Sequence, residues 1–277
     1  MTLHQILQTT TDRLRPVTDR PRLEAEILLA AYLGVDRSYL LLHAEDELED
    51  VAGFEAWVDR RVHHEPVEYI TMKVSFYDIE LHIAPGALIP RPETEILVEK
   101  AAGVIREYGL THIAEIGVGS GAVSIVLARM FPHLRIEASD ISEDALAVAR
   151  HNVEAFGLAD RITLRHTSLL DGIEEPVEMI VSNPPYIAPD ADLAPNVVAY
   201  EPHTALFAEE QGDALLRRII TLAAQKHIQH VACEMGYDQQ ERISAFVKEL
   251  GVYSAEFYTD LARLDRGFVL RELGIRS

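Results

Sequence analysis

From position 91 the chain alternates apolar runs of strand length with amphipathic stretches of helix length. PETEILVEKAAGVIREYG reads as a helix, HIAEIG as a strand, AVSIVLARMF as a helix, LRIEASD as a strand, SEDALAVARHNVEAFG as a helix, and RITLRH and VEMIVS as strands. After a polar loop come helix DALLRRIITLAAQ, strand HVACEM, helix QQERISAFVKEL and two closing strands near VYSAEFYT and RGFVLREL. Neighbouring parallel strands need a crossover of about a dozen residues, which a helix supplies, so few topologies suit this pattern. It predicts an α/β chain with a doubly wound, mostly parallel seven-stranded sheet of Rossmann-like type and an antiparallel edge.

The first part of the chain has a different period. Residues 1–72 carry apolar residues at three- and four-residue spacings, in LHQILQTTTDRL, in RLEAEILLAAYLG with Gly34 as a C-terminal stop, and around FEAWVDRRVHH. They predict a small helical domain. Residues 73–90, KVSFYDIELHIAPGALIP, switch to near-alternation with APG as a turn signal, which predicts a β-hairpin connector before a main domain at 91–277.

Composition narrows the partners. No apolar run approaches the roughly 20 residues of a membrane span, and MTLHQILQTTTDRLRP lacks the basic and apolar regions of a secretory signal, so a cytoplasmic chain without membrane contact is expected. Cys233 is the single cysteine, which rules out an internal disulfide and a Cys-rich zinc site and suits a packed thiol on a core strand. The tandem His63 and His64 have no third ligand nearby in sequence, and no metal is expected. With 25 basic against 45 acidic residues the net charge is −20, a disadvantage on a polyanion, so direct nucleic-acid binding is not expected and a basic protein partner fits better.

Two motifs point to an adenosine ligand. In EIGVGSG, from Glu115 through Gly117, Val118, Gly119 and Ser120 to Gly121, three glycines lie between a strand and a helix, where the backbone can turn tightly beside the free N–H groups of the helix start. Taken alone, the loop is a weak signal, since a glycine-rich turn without a ligand is also open. Asp140 ends the next strand, where a carboxylate can accept from both ribose hydroxyls; it can also serve as cap of the helix that begins at Ser142 or Glu143. Neither motif separates a nicotinamide cofactor from S-adenosylmethionine.

The stretch IVSNPPYIAP separates them. Pro184 and Pro185 have fixed φ and no N–H, and Asn183 before a proline is pushed out of the helical region, so the strand exits over a rigid ledge of acceptors. The Asn183 side-chain oxygen and the Pro184 carbonyl could each take one hydrogen of an incoming NH₂ group and aim its nitrogen at an electrophile. Tyr186 could lie over a planar substrate group.

LIPRPETE (Leu88 to Glu95), EIGVGSG, SDIS (Ser139 to Ser142), IVSNPPYI, YEPHTAL (Tyr200 to Leu206), EMGYDQQ from Glu234 and DLARLDRGFVL from Asp260 occur in an order that resembles one family. These residues, spread over about positions 65–272, are similar to class I S-adenosylmethionine-dependent methyltransferases, and more narrowly to the enzymes that methylate a glutamine side chain of peptide-chain release factors. The resemblance implies S-adenosyl-L-methionine as methyl donor, S-adenosyl-L-homocysteine as product, the N5 nitrogen of the glutamine in a GGQ loop of class 1 release factors as acceptor, and residues 1–72 as the docking domain of a monomer. It implies catalytic and substrate-binding roles for Asn183, Pro184, Pro185 and Tyr186, and cofactor contacts by Glu115, the 117–121 loop, Asp140, Ser168 and Asn183. It also raises the chance that Thr94 and Glu95 border the cofactor, while Glu201 and His203 either line a substrate entrance or play an ordinary loop or cap role.

Two departures stand out. Where the family offers an acidic and often an aromatic residue beside adenine, this chain has HTSLLDG with Thr167, Ser168 and Leu169, and YITMKVSFYD lacks a glycine after its Tyr-Ile pair. The competing expectation is an amino-methyltransferase of nucleic acids, which uses NPPY on the exocyclic nitrogen of a flipped adenine or cytosine; a regulatory module without turnover and a nicotinamide oxidoreductase are further readings that an intact NPPY disfavours. The loop 187–202, polar and with three prolines, is long enough to be a lid.

Overall fold

Local sequence signals start the first helices. The computed structural model describes residues 1–187, 195–207 and 212–272. Helix α1 (Leu3–Leu14) begins at Thr2, whose hydroxyl accepts from Gln5 N while the Gln5 side chain accepts from Thr2 N, so two otherwise orphaned donors are satisfied. Helix α2 (Pro21–Leu33) opens on a proline that has no N–H to leave unpaired and closes at Gly34, φ +67°, as the sequence predicts. Helices α3 (Arg37–Leu42), α4 (Val51–Val62) and α5 (Val67–Thr71) follow.

The chain forms two units, the first holding residues 1–73 and a later short helix, the second the remaining described residues. Leu7, Leu14, Leu28, Leu29, Phe54 and Val58 make the core of the first. A buried charged pair, Arg61 Nε to Glu24 Oε2 at 2.7 Å, joins α4 to α2, with Thr18 Oγ1 donating to the other carboxylate oxygen at 2.6 Å. His63 ends α4 exposed, its Nδ1 2.7 Å from Asp59 O and its carbonyl accepting from Tyr200 Oη at 2.8 Å.

In the second unit β1 (Lys73–Phe76) and β2 (Ile79–His82) pair as a hairpin. The turn lies at Tyr77 and Asp78, not at the APG singled out in the sequence, which follows β2; Tyr77 takes φ +56° and its N–H donates to Glu95 Oε1 at 2.8 Å, so a side-chain anchor replaces the glycine. Asn152 holds both backbone groups of His82 at 2.8 Å.

Then come α6 (Thr94–Tyr108), β3 (His112–Ile116), α7 (Ala122–Met130), β4 (Arg135–Asp140), α8 (Glu143–Ala155), β5 (Ile162–His166), β6 (Met179–Ser182), α9 (Pro195–Tyr200), α10 (His203–Leu206), α11 (Ala214–Gln225), β7 (His230–Glu234), α12 (Gln240–Leu250), β8 (Tyr253–Thr259) and β9 (Asp265–Glu272). Helix α9 is the one that belongs with the first unit. The seven-stranded sheet has the order β5-β4-β3-β6-β7-β9-β8; β3 to β7 pair in parallel, and β9 runs antiparallel to both β7 and β8. This is the predicted doubly wound sheet with its antiparallel edge.

Strand order reverses beside β3: connections leave β3 toward β4 on one side and β6 toward β7 on the other. A crevice therefore opens at the carboxyl ends of β3 and β6, where a ligand site is expected in such sheets. EIGVGSG leaves β3 and NPPY leaves β6 into that crevice. Among the described residues no helix is long and apolar enough to cross a membrane. Residues 188–194 of the expected lid lie outside the described residues; Ile187 forms a parallel bridge with Phe207.

Candidate active site

A cavity of about 390 Å³ occupies the crevice, within the size range of small-molecule sites. The loop after β3, the tip of β4, the segment after β5, the ledge after β6 and residues 88–94 wall it.

The glycine loop is shaped by backbone conformation more than by crowding. Gly117 and Gly119 have φ +76° and +55°, and a Cβ built on Gly119 meets nothing within 4 Å, so its place is the cavity itself. Val118 and Ser120 line the cavity beside them, whereas Gly121 stands off the wall and seats α7 against α8: its Cβ would meet Ile125 Cδ1 at 3.3 Å and Ala149 Cα at 3.6 Å.

Asp140 is placed by β4 with its carboxylate between two backbone donors. Gly119 N–H donates to Oδ2 and Ser142 N–H to Oδ1, each at 3.0 Å. Ser142, not Asp140, caps α8, its Oγ accepting from Ala145 N at 3.2 Å, so the cap role left open in the sequence falls to Ser142. A carboxylate offers about four lone-pair sites, so Asp140 retains acceptors for a pair of hydroxyls. Thr167, Ser168 and Leu169 all reach the cavity; Leu169 adopts φ +54° with its carbonyl held by Ser139 Oγ at 2.6 Å, presenting an apolar wall where an aromatic residue was absent from the sequence. An open glycine cradle, a carboxylate with spare acceptors and an apolar flank fit an adenosine-bearing cofactor.

Glu115 lies on the cavity wall yet is buried, and its Oε2 accepts from both the N–H and the hydroxyl of Ser124. Burial outweighs these bonds and pushes its carboxyl up to about 8 from an ordinary 4.5. A carboxyl whose folded-state value is raised stabilises the fold fully below about 4.5 and loses that contribution as pH climbs toward 8. Glu115→Gln, nearly isosteric and permanently neutral, should lack this loss: relative to it, the wild type should weaken by up to about 1.4 kcal/mol per pH unit across that window. Urea midpoints at several pH values check this, and parallel curves would contradict it.

At the ledge, Asn183 Nδ2 donates to Thr94 Oγ1 at 3.0 Å, and Pro184 and Pro185 line the cavity with Asn183. Tyr186 stands behind the wall: its hydroxyl donates to Glu234 Oε1 at 2.8 Å, its carbonyl accepts from Gln239 Nε2 at 3.0 Å, and burial beside Glu234 pushes its phenol up. Gly212 comes so close to that carbonyl that a Cβ there would stand 2.3 Å from it.

PRPETE and YEPHTAL meet through tertiary contacts the sequence does not display. Glu201 is buried, pairs with Arg91 Nη2 at 2.5 Å and accepts from Ile89 N at 3.3 Å, so it braces residues 89–91 at the cavity. His203 opens α10, exposed, with its ring edge-on to Phe207 at 5.5 Å. Thr94 reaches the cavity, whereas Glu95 turns to Tyr77. Cys233 is fully buried, with its thiol pushed up by burial alone. Phe207 and Arg218 also border the cavity, and no local motif marks either of them.

Comparison with known proteins agrees with this geometry. The methyltransferase small domain family matches residues 94–203 and the PrmC N-terminal domain family residues 5–71. Among solved structures, the hMettl16 catalytic domain in complex with the MAT2A 3'UTR hairpin 6 superposes with a TM-score of 0.59 at 18% identity, covering 70% of this chain and 76% of that one. The N-terminal domain of human METTL16 in complex with SAH gives 0.52 at 20% identity over 70% and 76% of the two chains. These likenesses bear on the fold alone. Sheet order, switch-point cavity and family match together define a Rossmann-like methyltransferase.

Sequence relatives narrow the class. A release factor glutamine methyltransferase of Moorella thermoacetica is 36% identical over 97% of this chain and 98% of its own length. Those of Koribacter versatilis and Clostridium acetobutylicum are 38% identical over 79% and 80%, and 34% identical over 88% of each chain. The chain belongs to the release factor glutamine methyltransferase family.

Proposed function

We propose that this chain transfers the methyl group of S-adenosyl-L-methionine to the N5 side-chain amide nitrogen of the glutamine in the GGQ motif of class 1 peptide-chain release factors, leaving S-adenosyl-L-homocysteine. The observation that carries the reading is the polarity of Asn183: its Nδ2 is engaged by Thr94, which leaves Oδ1 as an acceptor on a residue of the cavity wall.

S-adenosylmethionine, when bound, supplies an electrophilic methyl on a sulfonium. Asp140 would accept from its ribose hydroxyls, the 117–121 loop would cradle its sugar and methionyl part beside Glu115, and Ser168 and Leu169 would flank its base. A carboxamide nitrogen is a weak nucleophile because its lone pair is delocalised into the carbonyl. Asn183 Oδ1 and the Pro184 carbonyl would each accept one amide hydrogen, so the nitrogen pair is directed at the methyl carbon; alignment of this kind supplies on the order of 7–11 kcal/mol at best. The new N–C bond would form as the C–S bond broke with its electron pair passing to sulfur, and the surplus amide proton, strongly acidic at that stage, would leave to water. Pro185 keeps the ledge stiff, and Tyr186 anchors its far end.

The helices of residues 1–72 would dock the factor, and a net charge of −20 suits a basic partner better than a nucleic acid. A cytoplasmic monomer completes the reading. The test is incubation with labelled S-adenosylmethionine and, separately, a class 1 release factor, DNA and ribosomal RNA, followed by peptide mass spectrometry. A single methyl on the GGQ glutamine is expected; label on nucleic acid alone would overturn the reading in favour of base methylation.

A further inference from the structure

Glu234 ends β7 in the core behind the ledge, 1% exposed, and its carboxylate holds both ends of NPPY. Oε1 accepts the hydroxyl of Tyr186 and Oε2 the hydroxyl of Thr94, each at 2.8 Å. Thr94 is itself buried, and 3.0 Å from its Oγ1 stands Asn183 Nδ2.

Donor arithmetic orders this chain. A threonine hydroxyl has one hydrogen, and here it is directed to Glu234; burial pushes that carboxyl up while the bonds from Thr94 and Tyr186 and the charge of Arg266 pull it down, and in its ionised form it only accepts. Thr94 Oγ1 must then act as acceptor toward Asn183, and of the two ends of a carboxamide only the NH₂ end can donate. With Glu234 ionised, the Asn183 side chain has one allowed orientation, with Nδ2 on Thr94 and Oδ1 without a partner among the described residues, on a residue that lines the cavity. Reversing the amide would set Oδ1 against an oxygen whose hydrogen is already given away.

We propose that Thr94 and Glu234 are positioning residues of the methyl transfer, acting through Asn183: Glu234 takes the Thr94 hydrogen, Thr94 takes an Asn183 hydrogen, and the acceptor end of Asn183 is thereby kept turned toward the substrate amide. The inference rests on the proposed role of Asn183 as an acceptor for that amide. It explains why a carboxylate is buried at this point, behind a ledge that has no charge of its own. It also explains why LIPRPETE, distant in sequence from NPPY, has a hydroxyl-bearing residue at the start of α6.

The test compares Thr94→Val, which preserves shape but deletes the hydroxyl, with Thr94→Ser, which restores it, using a class 1 release factor as substrate and direct calorimetric binding of S-adenosylmethionine. With the Asn183 amide free to rotate, kcat for Thr94→Val should fall roughly 30- to 100-fold, the scale of a small misplacement of a reacting group. KM for the factor and the cofactor dissociation constant should stay within about threefold, and Thr94→Ser should recover kcat to within about threefold, on the same scale. A loss of cofactor affinity in parallel with kcat would assign Thr94 to cofactor binding and overturn the proposal. Asn183→Ala, assayed alongside, separates the two levels: inactivity of that variant with Thr94→Val at wild-type kcat removes the positioning chain alone, whereas an active Asn183→Ala removes the reading of the site.

Discussion

Replacing Asn183 by alanine should lower turnover at least about a thousandfold while the dissociation constant for S-adenosylmethionine changes by less than about threefold. Asn183 borders the cavity, and its side-chain amide is engaged by Thr94. Deleting it removes one of the two acceptors that would align the substrate nitrogen, an interaction needed in the transition state far more than in the bound cofactor. The cradle formed by Gly117 and Gly119 and the carboxylate of Asp140 remain in place. Single-turnover rates with a release factor and calorimetric titration with the cofactor measure the two quantities on one sample. Cofactor affinity falling as steeply as the rate would show that Asn183 belongs to cofactor binding.

The complementary result is expected at Asp140. Asp140→Ala should weaken S-adenosylmethionine binding by about 100-fold, since hydrogen bonds to a charged group contribute about 1.5–3 kcal/mol each and two ribose hydroxyls would converge on this carboxylate. Its present partners, the N–H groups of Gly119 and Ser142, lie on the loop and at the start of α8, so the variant should also loosen the cradle. At saturating cofactor kcat should stay within about tenfold of the wild type, because the ledge is untouched. A variant that binds the cofactor normally and fails to turn over would reverse the division of labour between β4 and β6.

Much of the site was legible because its parts are local. EIGVGSG needs positive φ at closely spaced residues, which glycine alone supplies cheaply, and the structure shows +76°, +55° and +86° at the three of them. Asp140 and NPPY announce themselves by residue type at a strand end. The same locality misled once: APG is a stronger turn signal than Tyr77-Asp78, yet the hairpin turns at the latter because Glu95, 18 residues along, supplies the acceptor for Tyr77 N–H.

What escaped reading was pairwise. Nothing in EMGYDQQ says that Glu234 will stand beneath both Thr94 and Tyr186, and nothing in YEPHTAL says that Glu201 will clasp Arg91 and Ile89. Phe207 and Arg218 reach the cavity from segments without a motif.

The sequence by itself determined the period of the strands and of the helices between them, hence the doubly wound sheet, the conformations of the glycine cradle and the stiffness of the ledge, because these depend on side-chain spacing and on the φ ranges of glycine and proline; the short α9 and α10, in a stretch read as polar loop, escaped it. Only the tertiary structure decided which way the Asn183 amide points. That orientation is set by hydrogens passed between β6, α6 and β7, and a donor or acceptor has no assigned partner until the sheet brings those three strand and helix ends together.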